Sequence, residues 1–202
     1  MEKIVLVGAG GHCEVIIDII KSVGKYDIIG VTDTTFRGKK LVLDIPIIGD
    51  DSILKKLYND GVKNAFVCIG ALQNIRLRDK IYNKLKDIGF NIPVLIHKDA
   101  IVSSYATIAF GTCVMPGAII NPGVSIDENC IINTGVVIEH DCKIQRNTHI
   151  SPKACIAGGV KVGHDTHVGM GSCIIQALHI GNNVIIGRSE ERRVGKECSQ
   201  GV

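Results

Sequence analysis

Apolar and polar residues follow two different periods along this chain, and the change falls near residue 97. Within residues 1–97, short apolar runs alternate with segments in which apolar residues recur every three or four positions. That is the pattern of strands joined by crossover helices. The predicted strands cover residues 4–7, 28–32, 65–69 and 93–96, and the predicted helices cover 13–23, 51–59 and 75–88. This order predicts a Rossmann-like α/β domain with a short parallel sheet in residues 1–97.

A six-residue period begins at Val102 and continues to Ile186, and every sixth residue in this stretch is Val or Ile. The residue four positions after each of these is small or of medium size and never charged, as at Cys130 and Cys142. Three such segments make one triangular coil of 18 residues, whose inward aliphatic side chains stack on their equivalents in the next coil. Residues 98–187 are therefore predicted to form an all-β parallel β-helix of about five coils, with Gly, Asn and Asp at the turns.

Residues 188–202 break every feature of this period and neither continue nor close the ladder. They are expected to be a foreign or disordered tail, so the fold is predicted from residues 1–187.

Charge, cysteine content and hydropathy narrow the class of protein. The net charge is +3, and a body this close to neutral argues against nucleic acid as the partner. The eight cysteines lack C-x-x-C spacing, and most stand at apolar positions of the repeat, so we expect buried, reduced and unpaired thiols. Without a long apolar stretch or a basic leader, the chain is expected to be cytoplasmic and to lack a membrane span.

The glycine-rich segment at residues 8–12 follows the first strand and opens the first helix, where backbone N–H groups can approach a phosphate. Cys13 replaces the third glycine of the G-x-G-x-x-G fingerprint, so a nicotinamide dinucleotide is not supported. Asp33 ends the second strand, where it can bind a sugar hydroxyl or simply shape a turn. Arg76 is within reach of the same sheet edge. The predicted substrate-binding residues are Gly10, Gly11, His12, Asp33 and Gly70.

His140 lies in a turn of the repeat between Glu139 and Asp141. A carboxylate beside an imidazole orients the ring and raises its proton affinity, which suits a general base acting on an amine or hydroxyl. His140 and Asp141 are therefore the predicted catalytic residues.

The segments at residues 7–12, 97, 133–142 and 149–152 resemble the family of sialic acid O-acetyltransferases and bacterial UDP-4-amino-sugar N-acetyltransferases. The resemblance covers residues 1–187 and implies a left-handed β-helix, an acetyl-CoA co-substrate and a homotrimer with active sites between adjacent β-helices. It implies that His140 accepts the proton, that Asp141 raises its basicity, and that the glycine loop lies on the nucleotide-sugar side. The coenzyme groove would be lined by His149, Gly158 and Met170.

Three alternatives differ in substrate or class. The acceptor is expected to be a UDP-linked 4-amino-sugar, while the hydroxyl of a sialic acid would use the same base. A metal-dependent hydratase needs paired histidines five residues apart, a spacing absent from the repeat, so no metal is expected. A non-catalytic scaffold that binds a sugar nucleotide is the alternative of another class. The repeat histidines are His140, His149, His164, His167 and His179.

Overall fold

The computed structural model describes residues 1–35, 41–71 and 75–187, and the predicted tail at 188–202 lies outside these residues. The N-terminal sheet has the strand order β3-β4-β2-β1-β5, in which β3 and β4 are antiparallel and the other pairs are parallel. Its strands are β1 (Glu2–Val7), β2 (Tyr26–Thr32), β3 (Leu41–Val42), β4 (Ile45–Gly49) and β5 (Asn64–Val67). Its helices are α1 (Gly11–Val23), a 3-10 turn (Asp51–Ile53), α2 (Leu54–Asn59) and α3 (Ile75–Ile88).

Helix α1 forms because its apolar residues lie on one face, which packs against the sheet. Ile16, Ile17 and Ile20 are fully buried there. The helix ends at Gly24, which adopts φ 69° and donates its N–H to the carbonyl of Ile20. A left-handed residue of this kind is the common glycine C-cap.

Two features of this domain differ from the sequence prediction. The hairpin of β3 and β4 was not predicted, because Leu41–Val42 is too short to give a period. The strand predicted at 93–96 forms as β6 (Leu95–Ile96), but it pairs with Cys113–Val114 in the β-helix rather than with the N-terminal sheet. The division of the chain at residue 97 stays a prediction.

The predicted repeat folds as a left-handed parallel β-helix with three flat faces. Face one contains β7 (Ile101–Val102), β10 (Ile119–Ile120), β13 (Val137–Ile138), β16 (Cys155–Ile156) and β19 (Cys173–Ile174). Face two contains β8 (Thr107–Ile108), β11 (Ser125–Ile126), β14 (Lys143–Ile144), β17 (Lys161–Val162) and β20 (His179–Ile180). Face three contains β6, β9 (Cys113–Val114), β12 (Ile131–Ile132), β15 (His149–Ile150), β18 (His167–Val168) and β21 (Ile185–Ile186).

Each strand points its second residue inward, and these Val and Ile side chains form the core of the β-helix. The small residues Cys130 and Cys142 are fully buried at the corners, as predicted. The chain turns there through a left-handed residue at every sixth position from Gly111 to Asn183, with φ between 56° and 76°. Because L side chains disfavour this region, Gly, Asn and Asp fill most of these positions.

The first residue of each strand points outward and gives each face its character. Face three carries Cys113 and Ile131, which are buried against the core of the α/β domain. Face two is polar, whereas face one is apolar and uncovered, with Ile101 65% exposed. Its outward residues are Ile101, Ile119, Val137, Cys155 and Cys173, and those of face two are Thr107, Ser125, Lys143, Lys161 and His179.

The expectation of buried thiols is wrong at two positions. Cys155 and Cys173 are exposed, because they are the outward residues of β16 and β19 on face one. The other five cysteines of the described residues are buried, and all seven are free thiols.

Candidate active site

His140 and Asp141 form a hydrogen-bonded pair at the corner between faces one and two. The distance from Nδ1 of His140 to Oδ2 of Asp141 is 2.9 Å, and the side chains are 65% and 73% exposed. Asp141 is the left-handed residue of this corner, with φ 60°, a conformation that its short polar side chain tolerates. The turn therefore fixes the carboxylate beside the ring.

Two glycines, one coil above and one coil below, make room for this pair. A Cβ atom on Gly158 would lie 2.7 Å from Nε2 of His140, and a Cβ atom on Gly123 would collide with the Asp141 carboxylate. In the neutral ring, Nδ1–H donates to the carboxylate of Asp141, so Nε2 carries the lone pair and faces the backbone of Gly158. The carboxylate therefore fixes the orientation of a largely exposed imidazole.

His149 points outward from face three and is buried. Its Nε2 lies 3.1 Å from the amide nitrogen of Asn133, which can only donate, so Nδ1 carries the ring proton. Nδ1 has no hydrogen-bond partner among the described residues. Burial lowers the pKa of His149 to about 3, and the neighbouring His167 and Arg78 add to the effect. The imidazole of His149 is therefore neutral, and its Nδ1–H is a hydrogen-bond donor without an acceptor among the described residues.

His12, at the start of α1, is close enough to His149 for the two imidazoles to interact electrostatically. Its Nε2 is buried and has no hydrogen-bond partner among the described residues. Burial lowers the pKa of His12 to about 3, and Arg78 and His149 contribute electrostatically. The two imidazoles therefore mark the place where the α/β domain meets the β-helix.

A cleft of about 1440 Å³ opens at the carboxyl edge of the N-terminal sheet. All five predicted substrate-binding residues line it, namely Gly10, Gly11, His12, Asp33 and Gly70. A Cβ atom added at any of the three glycines would meet nothing within 4 Å. Packing within the protein therefore does not demand glycine at these positions, and the bare backbone faces open space.

Asp33 supports the glycine loop as well as shaping a turn. Its Oδ2 accepts a hydrogen bond of 2.6 Å from the backbone N–H of Ala9, and its Oδ1 accepts bonds of 2.7 Å from the N–H and hydroxyl of Thr35. Asp33 therefore has the predicted turn role and also holds the glycine loop, while its binding of a sugar hydroxyl stays a prediction. Arg76 is exposed on α3 and is not among the residues that line the cleft.

One chain does not bring all the predicted site residues together. His140 and Gly158 lie at the corner between faces one and two. Met170, 57% exposed, follows β18 at the corner between faces three and one. His149 lies on face three beside that second corner. The apolar face one separates the two groups.

The structure contains a second hydrogen-bonded His–Asp pair that was not predicted from the sequence. His164 and Asp165 repeat the geometry of the first pair at the corner between faces two and three, with 2.6 Å from Nδ1 to Oδ2. This pair is less exposed, and Asp165 also accepts a hydrogen bond of 2.9 Å from the side chain of Asn147. His164 occupies the same position of the six-residue period as His140, and this shared position is the sequence signal by which the pair could have been predicted.

Neither a metal site nor a membrane span is found in the described part of the chain. Across residues 1–35, 41–71 and 75–187, no three His, Cys, Asp or Glu side chains are grouped to hold a metal ion. Within the same residues, no helix has the length and apolar character needed to cross a membrane.

The buried neutral imidazoles predict acid sensitivity. Between pH 6.5 and about 3 the unfolded chain binds protons at His12 and His149 while the folded protein does not, so the free energy of unfolding falls as the pH drops. His149→Gln should reduce this slope by up to about 1.4 kcal/mol per pH unit, measured by denaturant unfolding. His179→Gln, at an exposed position, is the matched control. Equal slopes for His149→Gln and the wild type would contradict the neutral, buried state of His149.

Known proteins resemble this chain in sequence and in fold. Residues 3–85 match the family model described as the PglD N-terminal domain. The perosamine N-acetyltransferase of Caulobacter crescentus has been solved with CoA and GDP-perosamine as a variant with one histidine replaced by asparagine. It is 34% identical, with a TM-score of 0.87, over 93% of this chain and 87% of that one.

The acetyltransferase domain of PglB from Neisseria gonorrhoeae, solved in complex with acetyl coenzyme A, is 32% identical with a TM-score of 0.84. The match covers 93% of this chain and 88% of that one. WeeI from Acinetobacter baumannii shares the fold at 19% identity, with a TM-score of 0.78 over 94% of this chain and 90% of its own. Since relatives with about a third of their residues identical match across both domains, this chain belongs to the acetyl-CoA-dependent, hexapeptide-repeat sugar acetyltransferases.

Proposed function

We propose that this protein transfers the acetyl group of acetyl-CoA to the amino group of a nucleotide-linked amino sugar, with His140 as the general base. The observation that carries this proposal is the His140–Asp141 pair, whose Nε2 faces the backbone of Gly158. Removal of a proton from an attacking amine requires a positioned base with a free nitrogen. An imidazole that is hydrogen-bonded to a carboxylate through one nitrogen and exposed at the other can act as this base.

The reaction is an acyl transfer in which atoms balance without a further reactant. The amine nitrogen of the sugar forms a bond to the thioester carbonyl carbon, and Nε2 of His140 takes the proton that the amine must lose. The C–S bond then breaks, and the departing CoA thiolate receives that proton from His140. Asp141 accepts the hydrogen bond from Nδ1–H throughout, which stabilises the imidazolium and keeps Nε2 directed at the amine.

The cleft of the α/β domain suits the nucleotide part of the acceptor. The N–H groups at the start of α1 and the positive end of the helix dipole favour a diphosphate, and bare glycines let it approach the backbone. The Caulobacter relative acts on perosamine at nitrogen and has been solved with a GDP-linked sugar, which supports a nucleotide-linked amino sugar here.

The residues near face three fit an acyl-CoA. Acetyl-CoA supplies a thioester carbonyl and an amide-containing arm, both rich in acceptors. The unpartnered Nδ1–H of His149 would donate to such an acceptor, and the exposed side chain of Met170 would cover apolar parts of the arm. Gly158 would contribute by admitting the reacting groups beside His140.

We further propose that the active site is completed by a neighbouring chain in a homotrimer. Face one is apolar and uncovered, and the two groups of predicted site residues lie at its two edges. Three copies packed through face one around a three-fold axis would set His140 of one chain beside His149 and Met170 of the next. Burying the apolar face would supply the driving force for assembly.

A substrate panel tests the proposed reaction directly. UDP- and GDP-linked 4-amino sugars, the corresponding free sugars and a sialic acid are each incubated with acetyl-CoA, and release of the CoA thiol is followed. Turnover with a nucleotide-linked amino sugar is expected. Turnover with sialic acid alone would contradict the proposed acceptor, and thiol release with none of them would favour a binding scaffold.

Substitutions at the catalytic corner should lower turnover without lowering coenzyme affinity. His140→Ala should reduce kcat by about 10²-fold to 10⁴-fold, and Asp141→Asn should cost less because the imidazole remains. Gly158→Ala should also reduce kcat, since its methyl group displaces the ring of His140. Gly181→Ala is the matched control, because its Cβ atom would make only an ordinary contact, at 3.7 Å, with the side chain of Val184. Near-normal kcat in His140→Ala would rule out the assigned base.

The glycine loop gives an independent test of nucleotide binding. Gly11→Ala adds a methyl group to open space in the first turn of α1, so the fold should keep its thermal stability. The KM for the nucleotide sugar should rise by about tenfold if the diphosphate approaches this backbone, with kcat nearly unchanged. Gly181→Ala, in the β-helix and away from the cleft, adds a methyl group at an ordinary contact distance and should leave KM unchanged. An unaltered KM in Gly11→Ala would place the nucleotide elsewhere.

The assembly is tested by placing a charge on face one. Val137→Lys should lower the mass measured by light scattering from that of a trimer to that of a monomer, because a lysine there would be buried without a partner. Transfer should fall together with the mass, since His140 would lose its partner chain. Ser125→Lys, at the equivalent half-buried position of face two, is the control. A trimeric and active Val137→Lys would argue against this interface.

A further inference from the structure

Arg78 is a buried cation that joins the two domains. It lies on α3, its side chain is fully buried, and none of the ion pairs among the described residues includes it. Instead its guanidinium donates to four backbone carbonyls. A buried guanidinium is costly unless its donors are satisfied, so these four carbonyls fix its place.

One of the four carbonyls belongs to the wall of the cleft, and a second belongs to the last residue of β5, which leads into that wall. Nη1 donates to Val67 and to Ile69, each at 2.9 Å. Residues 68–70 line the cleft immediately after β5, and Ile69 also packs against Gly8 so closely that a Cβ atom there would collide with it. Arg78 thus holds the segment that shapes one side of the glycine loop.

The other two carbonyls belong to stacked turns of the β-helix. Nη2 donates to Gly111 at 3.3 Å and Nε donates to Asn129 at 3.4 Å, on successive coils at the corner between faces two and three. The next residue of α3, Asp79, accepts a hydrogen bond of 2.9 Å from Asn147, one coil further along. Two consecutive residues of α3 therefore form hydrogen bonds with three successive coils of the β-helix.

This clamp lies between the groups that would hold the two substrates. Burial is the main cause of the low pKa values of His12 in the cleft and His149 on face three. The positive charge of Arg78 is close enough to both imidazoles to lower these pKa values further. Arg78 therefore forms hydrogen bonds with both domains and also acts electrostatically on both histidines.

We propose that Arg78 is a positioning residue that sets the register between the glycine-loop cleft and His149, so that the acceptor amine meets the thioester at reaction distance. The inference rests on the proposed function. A positioning residue acts through the groups that it holds, so its loss should impair the joint use of two bound substrates more than the binding of either. Misplacement by about 1 Å can cost about 10²-fold in rate.

The test compares Arg78→Lys and Arg78→Met with Tyr82→Phe. Tyr82 also bridges the domains, donating its hydroxyl to Glu128 at 2.9 Å, but it does not line the cleft. Lysine keeps the charge but cannot reach four carbonyls. We expect kcat to fall by about 10-fold to 10²-fold in the Arg78 variants while the Kd for CoA alone and for a nucleoside diphosphate alone changes less than about threefold. Tyr82→Phe should lose stability yet keep kcat within about twofold.

Hydrogen exchange of the unliganded protein gives a readout that needs no substrate. Peptides containing Cys68 and Gly111 should exchange faster in Arg78→Lys than in Tyr82→Phe, because Arg78 holds both segments. If the wild type acetylates no amino sugar, the proposed function fails while this measurement still tests the clamp.

Three results would overturn the proposal. A folded Arg78→Lys with near-normal kcat would do so, and so would an equal loss of kcat in Tyr82→Phe at matched stability. Failure of both Arg78 variants to fold would likewise overturn it, since the residue would then be needed for the native state itself.

Discussion

Closure of each coil within 18 residues is the constraint on which the rest of the structure depends. It is met with a left-handed turn residue at every sixth position from Gly111 to Asn183 and an inward Val or Ile in every strand. The outward residues consequently fall into straight columns, so each face acquires one character along its length. This single geometric requirement explains why face three is covered, face two is polar and face one is apolar. It also explains why His140 lies on a turn rather than on a strand.

The period made the β-helix predictable from the sequence, because each of its inward positions repeats the same chemical choice. The α/β domain was less completely predictable. The short hairpin of β3 and β4 has no room for a period, and β6 looks like a strand of the first domain although it pairs with the second. Which sheet a two-residue strand joins depends on contacts distant in sequence, and local pattern does not contain that information.

The site was predictable where a residue's neighbours in sequence are also its partners. His140 and Asp141 are adjacent, and the glycine loop is a single segment, so both could be found without a structure. Arg78 could not be identified in this way. Arg76, the arginine expected within reach of the sheet edge, is exposed, whereas Arg78 occupies a core position of α3 and bonds to carbonyls as far away as Asn129. A charged residue on the apolar stripe of an amphipathic helix was the one available signal.

The column geometry also limits how such a chain can change in length. Removing or adding six residues before His149 in the repeat would carry every later residue round by one face, so that His149 and His167 would leave the side covered by the α/β domain. Removing or adding a whole coil of 18 leaves every column in line. Length variation among proteins built this way should therefore occur in whole coils, and smaller insertions should be confined to turns that can bulge outward without altering the count.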